Sequence, residues 1–73
     1  MNVLIVGQGG REHAMAWKLS LSNEVDTVFV APGNGGTANE NKCINIDIAV
    51  NDFLALEKLV IDKEINLIVI GPE

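Results

Sequence analysis

Three closely spaced glycines, Gly7, Gly9 and Gly10, follow an apolar run and come directly before the charged triplet 11–13. A buried strand that passes so tightly into a helix leaves backbone N–H groups at the helix N-terminus available to an anion. Glycine suits such a turn because it adopts positive φ at little cost and lets a ligand approach the main chain. The pattern predicts a binding site for a phosphate or sugar phosphate. The alternative is a strand-to-helix turn that holds no ligand.

The same glycines match the dinucleotide fingerprint G-x-G-x-x-G only in part. Glu12 stands where the third glycine belongs, and there it would crowd the contact between helix and strand and lie near a pyrophosphate. The next predicted strand ends at Val30 and Ala31, without the acidic residue that binds the ribose of NAD and without an arginine in its place. An NAD-dependent oxidoreductase is therefore a disfavoured alternative. A second alternative function is that of a non-catalytic, Rossmann-like binding module.

The charged triplet offers side chains for further ligand contacts. Arg11 can make charge-assisted hydrogen bonds to a phosphate, and Glu12 and His13 stand beside it. The alternative is that Arg11 and Glu12 are solvated charges of the first helical turn and that His13 lies on the helix surface. The sequence contains no P-loop and no Ser/His/Asp or Cys/His arrangement, so we predict neither a catalytic residue nor a metal site here.

The hydrophobic pattern predicts the elements that must position these residues. We predict strands over 2–6, 27–31, 43–48 and 65–70, a helix over 11–21 and a short helical turn near 37–41. We also predict a second long helix that is capped by Asn51 or Asp52 and runs to about Lys63. Right-handed crossovers then give an α/β, Rossmann-like parallel sheet of order 3-2-1-4 with helices on both faces. The predicted inward faces of the two helices are Ala14, Trp17 and Leu21, and Phe53, Leu56, Leu59 and Val60.

Unusual segments follow three of the four predicted strands at the carboxyl edge of this sheet. Besides the first glycine turn, these are the turn-rich segment 32–36 and the tripeptide 71–73. Ligands of such sheets bind outside the carboxyl ends of the strands. The segments therefore add five candidate binding residues: Pro32, Gly33, Asn34, Pro72 and Glu73. Glu73 can alternatively be the first residue of a further helix.

The composition limits the kinds of partner that the protein could bind and the cellular compartment in which we expect it. With a net charge of -5 the 73-residue chain is a poor match for nucleic acid or an anionic membrane surface. The single Cys43, expected as a buried thiol, fits the reducing cytoplasm, and no signal peptide or membrane span is recognisable. Because the last predicted strand would leave an apolar edge exposed, we expect a fragment of a longer protein.

The segments GQGGREHA (7–14), APGNGGTA (31–38) and GPE (71–73) together resemble the N-terminal domain of the glycinamide ribonucleotide synthetases. The resemblance extends over residues 1–73 and implies a pre-ATP-grasp, substrate-binding domain. The ATP-grasp and C-terminal domains of that family would lie beyond Glu73. This segment alone is therefore expected to be inactive.

The resemblance also implies a reaction. The family joins glycine to 5-phosphoribosylamine through a glycyl phosphate in purine biosynthesis and converts ATP to ADP and phosphate. ATP with Mg²⁺ or Mn²⁺ would be held by the ATP-grasp domains, which are also the implied partners of this segment. The N–H groups of Gly9 and Gly10 would hold the 5-phosphate or ribose of the substrate. Asn34, Glu12 and Glu73 would bind its hydroxyls or amine.

Overall fold

Four strands and three helices alternate along the chain in a computed structural model that describes residues 1–70. The elements are β1 (Asn2–Gly7), α1 (Gly10–Ser20), β2 (Thr27–Pro32), α2 (Gly35–Ala38), β3 (Cys43–Asn45), α3 (Phe53–Asp62) and β4 (Leu67–Ile70). All strand pairs are parallel, in the order β3-β2-β1-β4. The predicted α/β class and strand order are therefore confirmed.

The core lies on both faces of the sheet, because successive side chains of β1 and β2 point to opposite sides. One cluster packs beneath α1 and contains Val3, Ile5, Ala16, Val25, Val28 and Val30. The other packs beneath α3 and contains Leu4, Val6, Phe29, Ala31, Leu56 and Leu59. The two long helices thus cover opposite faces, as right-handed crossovers in opposite directions require.

The predicted inward face of α1 is wrong. Trp17 and Leu21 are 50% and 62% exposed, and Ala14 is exposed as well. The buried residues are instead Glu12, Ala16 and Ser20, which lie roughly a third of a turn away around the helix axis. The small side chains of Ala16 and Ser20 let α1 approach the sheet closely, and the Ser20 hydroxyl donates to the Trp17 carbonyl at 2.6 Å.

The second long helix follows the prediction more closely. Leu56 and Leu59 are buried and Val60 is half-buried, but Phe53 in the first turn is 75% exposed. Of the two expected caps, Asp52 is the N-cap, with Oδ1 accepting from the Ala55 N–H at 3.3 Å.

Several predicted boundaries are wrong. β4 begins at Leu67 rather than at residue 65. β3 ends at Asn45 rather than at residue 48, because the chain turns there through a hydrogen bond from the Ile48 N–H to the Ile46 carbonyl. The short helix α2 begins at Gly35, two residues before the predicted turn, because Asn34 caps it.

The register brings the strand ends together at one edge of the sheet. Gly7 pairs with Pro32, and Val6 pairs with Ile70. The segments after β1 and β2 therefore begin side by side. The candidate residues Pro72 and Glu73 lie outside the described residues. Across residues 1–70, none of the helices has the length and apolar character needed to cross a bilayer.

Candidate functional site

The first glycine loop, residues 7–10, is organised around the buried carboxylate of Glu12. Glu12 is only 6% exposed, and its Oε1 accepts a hydrogen bond from the Gly9 N–H at 3.3 Å. Glu12 is the third residue of α1 and Gly9 is its N-cap, so this bond is the carboxylate half of a capping box. The alternative interpretation of Glu12 as a solvated charge is therefore wrong.

Gly7 is required by this arrangement. Its φ is 155°, and a Cβ at this position would lie 2.7 Å from Glu12 Cδ and collide with Cγ. A side chain at Gly7 would therefore displace the carboxylate that caps α1.

The N-terminus of α1 retains hydrogen-bond donors after this capping. The first helical N–H groups, those of Gly10, Arg11 and Glu12, have no acceptor within the described part of the chain. A Cβ added at Gly10 would meet no atom within 4 Å, so the space in front of this turn is open. Arg11 is exposed beside it and has no ion pair among residues 1–70. This is a suitable environment for an oxyanion.

The second glycine loop, residues 33–36, is built by a reciprocal capping box. The Asn34 N–H donates to Thr37 Oγ1 at 2.8 Å, and the Thr37 N–H donates to Asn34 Oδ1 at 3.0 Å. Thr37 is fully buried, and Asn45 of β3 donates from Nδ2 to the Asn34 carbonyl at 2.8 Å. Gly33 has a φ of 77°, and a Cβ there would lie 2.8 Å from Thr37 Oγ1.

Asn34 joins the two loops. Its Nδ2 donates to the carbonyls of Gln8 and Gly9, at 2.8 and 3.2 Å. The backbones meet as well, since the Gly33 N–H donates to the Gly7 carbonyl at 3.0 Å. The structure therefore brings together the predicted residues of both loops, and the Asn34 amide is engaged in holding them.

His13 makes a second link between the same regions. Its Nε2 lies 2.6 Å from Oε2 of Glu40, a residue that follows α2, and both side chains are partly buried. Gly10, His13, Ala14, Trp17 and Glu40 line an open pocket of about 360 Å³. The alternative interpretation placed His13 on the helix surface without a partner. The structure instead shows it partly buried and in contact with Glu40.

Sequence patterns did not indicate three residues that build this site: Thr37, Glu40 and Asn45. Thr37 was detectable, because it stands three residues after the capping Asn34. Glu40 and Asn45 become relevant only when β3 and α2 are placed beside α1.

Cys43, the expected buried thiol, is half-buried at the edge of the α1 core, and this burial raises the pKa of its thiol. Within residues 1–70, no group of three or more His, Cys, Asp and Glu side chains is arranged to hold a metal ion.

Comparison with known proteins identifies the family. The profile of the phosphoribosylglycinamide synthetase N domain matches residues 1–73. The chain belongs to this family. It is 56% identical, over its whole length, to the phosphoribosylamine–glycine ligase of Haemophilus influenzae. It is 55% identical over 71 residues to the trifunctional purine biosynthetic protein adenosine-3 of Gallus gallus, which covers 97% of this chain.

The chain spans 17% of the length of the Haemophilus ligase and 7% of that of the Gallus protein. The family match does not favour the alternative of an NAD-dependent oxidoreductase. In agreement, β2 ends at Ala31 and Pro32 without an acidic residue. The contacts of individual residues with a substrate stay predictions.

Proposed function

We propose that this chain is the N-terminal, substrate-binding domain of an enzyme that joins glycine to 5-phosphoribosylamine in purine biosynthesis. The proposal is supported by the family match over residues 1–73 and by the names of the similar ligases. The observation that carries it is the paired arrangement of the two glycine loops, which leaves the N-terminal turn of α1 open toward solvent.

The residues of this chain bind and orient the phosphoribosylamine. We assign its 5-phosphate to the N–H groups of Gly10 and Arg11 and to the Arg11 guanidinium, because the Gly9 N–H already donates to Glu12. The backbone of Pro32, Gly33 and Asn34 forms the neighbouring wall. We assign the ribose hydroxyls and the amine to this wall and to Pro72 and Glu73.

We place ATP and its Mg²⁺ or Mn²⁺ in the remaining part of the full-length ligase. The loop of this chain does not fit a nucleoside triphosphate site of the P-loop kind, since Gly10 is followed by Arg11 and the buried Glu12 rather than by Lys and Ser or Thr. ATP supplies the activation of the glycine carboxylate. We assign the protein to the cytoplasm, where a half-buried, unpaired Cys43 stays reduced.

A product assay tests the proposal. The full-length protein is incubated with glycine, freshly prepared phosphoribosylamine and MgATP, and glycinamide ribonucleotide is measured. We expect the product to form only with all three substrates, and we expect none from the 73-residue chain alone. Failure of the full-length protein to form the product would overturn the proposed function.

A further inference from the structure

The segment from Asn34 to Glu40 is attached to α1 at both of its ends. At the first end, Asn34 Nδ2 donates to the carbonyls of Gln8 and Gly9, just before α1. At the second end, Glu40 Oε2 lies 2.6 Å from His13 Nε2, on the first turn of α1. A segment held at one point can pivot about it, whereas a segment held at two points has a fixed orientation.

The residues between these two attachment points also pack closely against their neighbours. Gly36 lies against the His13 imidazole so closely that a Cβ there would collide with the ring. Thr37 is fully buried, and Asn45 fixes the Asn34 carbonyl from the other side. The His13 ring therefore packs against α2 with one edge and donates to Glu40 with the other.

We propose that His13 and Glu40 are positioning residues, which hold the second glycine loop at a fixed distance from the open N-terminal turn of α1. Glu40 is placed outside the substrate-binding residues proposed above, and it acts through His13. The inference rests on the proposed function, because the distance between the loops matters when both contact one phosphoribosylamine. Loss of the pair should weaken the binding of that substrate and leave the binding of ATP unchanged.

Variants that differ in the charge at position 40 distinguish a positioning role of Glu40 from direct contact with the substrate. Glutamine at position 40 keeps a carbonyl oxygen that accepts from the His13 N–H but removes the negative charge. Glu40→Gln should therefore preserve the loop geometry, whereas Glu40→Ala should release it. Glu24→Ala is the matched control, since Glu24 is exposed and lies just before the amino end of β2, whereas both loops lie at the carboxyl ends of the strands.

Two measurements on the full-length protein test this inference. The first is amide hydrogen exchange of residues 34–40, measured by mass spectrometry. We expect Glu40→Ala to speed exchange about ten-fold, as for loss of one hydrogen bond, and Glu40→Gln and Glu24→Ala to leave it within about two-fold. Unchanged exchange in Glu40→Ala would overturn the positioning role, whether or not the protein is an active ligase.

The second measurement is steady-state kinetics with the same three variants. We expect Glu40→Ala to raise the KM for phosphoribosylamine about five- to ten-fold with an unchanged KM for ATP, and Glu40→Gln to behave like the wild type. A Glu40→Gln variant as impaired as Glu40→Ala would contradict the inference, because it would mean that the charge itself acts on the substrate. If the wild type forms no product, the proposed function fails while the exchange experiment still decides the role of the pair.

Discussion

At the end of β1, the Glu12 side chain lies so close to Gly7 that no side chain fits at position 7. A methyl group at position 7 would collide with Glu12, and the φ of 155° is unfavourable for any other residue. We expect Gly7→Ala to lower the free energy of unfolding by about 2 kcal/mol or more, through strain and loss of the capping bond. Urea unfolding of the 73-residue chain measures this. Gly10→Ala is the control, because a Cβ at Gly10 meets no atom within 4 Å. If Gly7→Ala and Gly10→Ala lowered the free energy of unfolding equally, the predicted collision at position 7 would be contradicted.

Cys43 offers a chemical test at the residue scale. Burial, with the nearby Glu40 charge, raises the pKa of its thiol, which favours the neutral form in the folded chain. We expect Cys43 to react with a disulfide reagent at pH 8 more slowly than a free cysteine, and to reach the free rate in urea. Because the folded pKa is the higher one, the thiol contributes stability below its unfolded pKa and loses that contribution as the pH rises. Equal rates with and without urea would refute this.

Asn34 connects two elements, and one isosteric change separates its two functions. In Asn34→Asp the Oδ atom can still accept from the Thr37 N–H, but the donor to the Gln8 and Gly9 carbonyls is replaced by an oxygen. We expect a loss of about 1–3 kcal/mol in the free energy of unfolding, from oxygen facing oxygen. Asn51→Asp, an exposed change ahead of α3, should cost less than about 0.5 kcal/mol. Similar values for the two variants would show that Asn34 does not link the loops.

At the element scale, the sequence predicted the strand order and most of the inward face of α3 but failed on the inward face of α1. The order followed because apolar strands separated by helical segments leave few right-handed parallel arrangements. The inward face of α1 was mispredicted because Trp17 and Leu21 dominate its hydrophobicity, whereas the helix approaches the sheet through Ala16 and Ser20. Capping side chains were partly predictable from local spacing. The His13–Glu40 contact was not, because its residues are 27 positions apart.

At the scale of the whole molecule, an apolar surface beside β4 is uncovered among residues 1–70. A groove of about 260 Å³ lies between α3 and the sheet, lined mainly by the apolar side chains of Leu4, Val6, Val50, Phe53, Leu56, Val60, Ile68 and Ile70. Parallel sheets normally have both faces covered. The isolated 73-residue chain should therefore self-associate through this groove at high concentration.

Sedimentation of the 73-residue chain at increasing concentration tests this expectation. We expect the mass to rise with concentration for the wild type and to stay nearer that of a monomer for Phe53→Lys, which places a charge in the groove. Leu21→Lys is the control, because Leu21 is similarly exposed but does not line the groove. A monodisperse wild-type monomer at high concentration would show that the groove does not drive association.

The open N-terminal turn of α1 is the site that we propose for the phosphate of phosphoribosylamine. Gly10→Asp in the full-length protein tests it most directly, because a Cβ at position 10 meets no atom within 4 Å and an acidic residue is well tolerated at a helix N-terminus. We predict a KM for phosphoribosylamine at least about ten-fold higher, with the KM for ATP unchanged. Asn23→Asp, which adds the same charge just beyond the C-terminal end of α1, should change neither. An unchanged KM for phosphoribosylamine in Gly10→Asp would contradict the account.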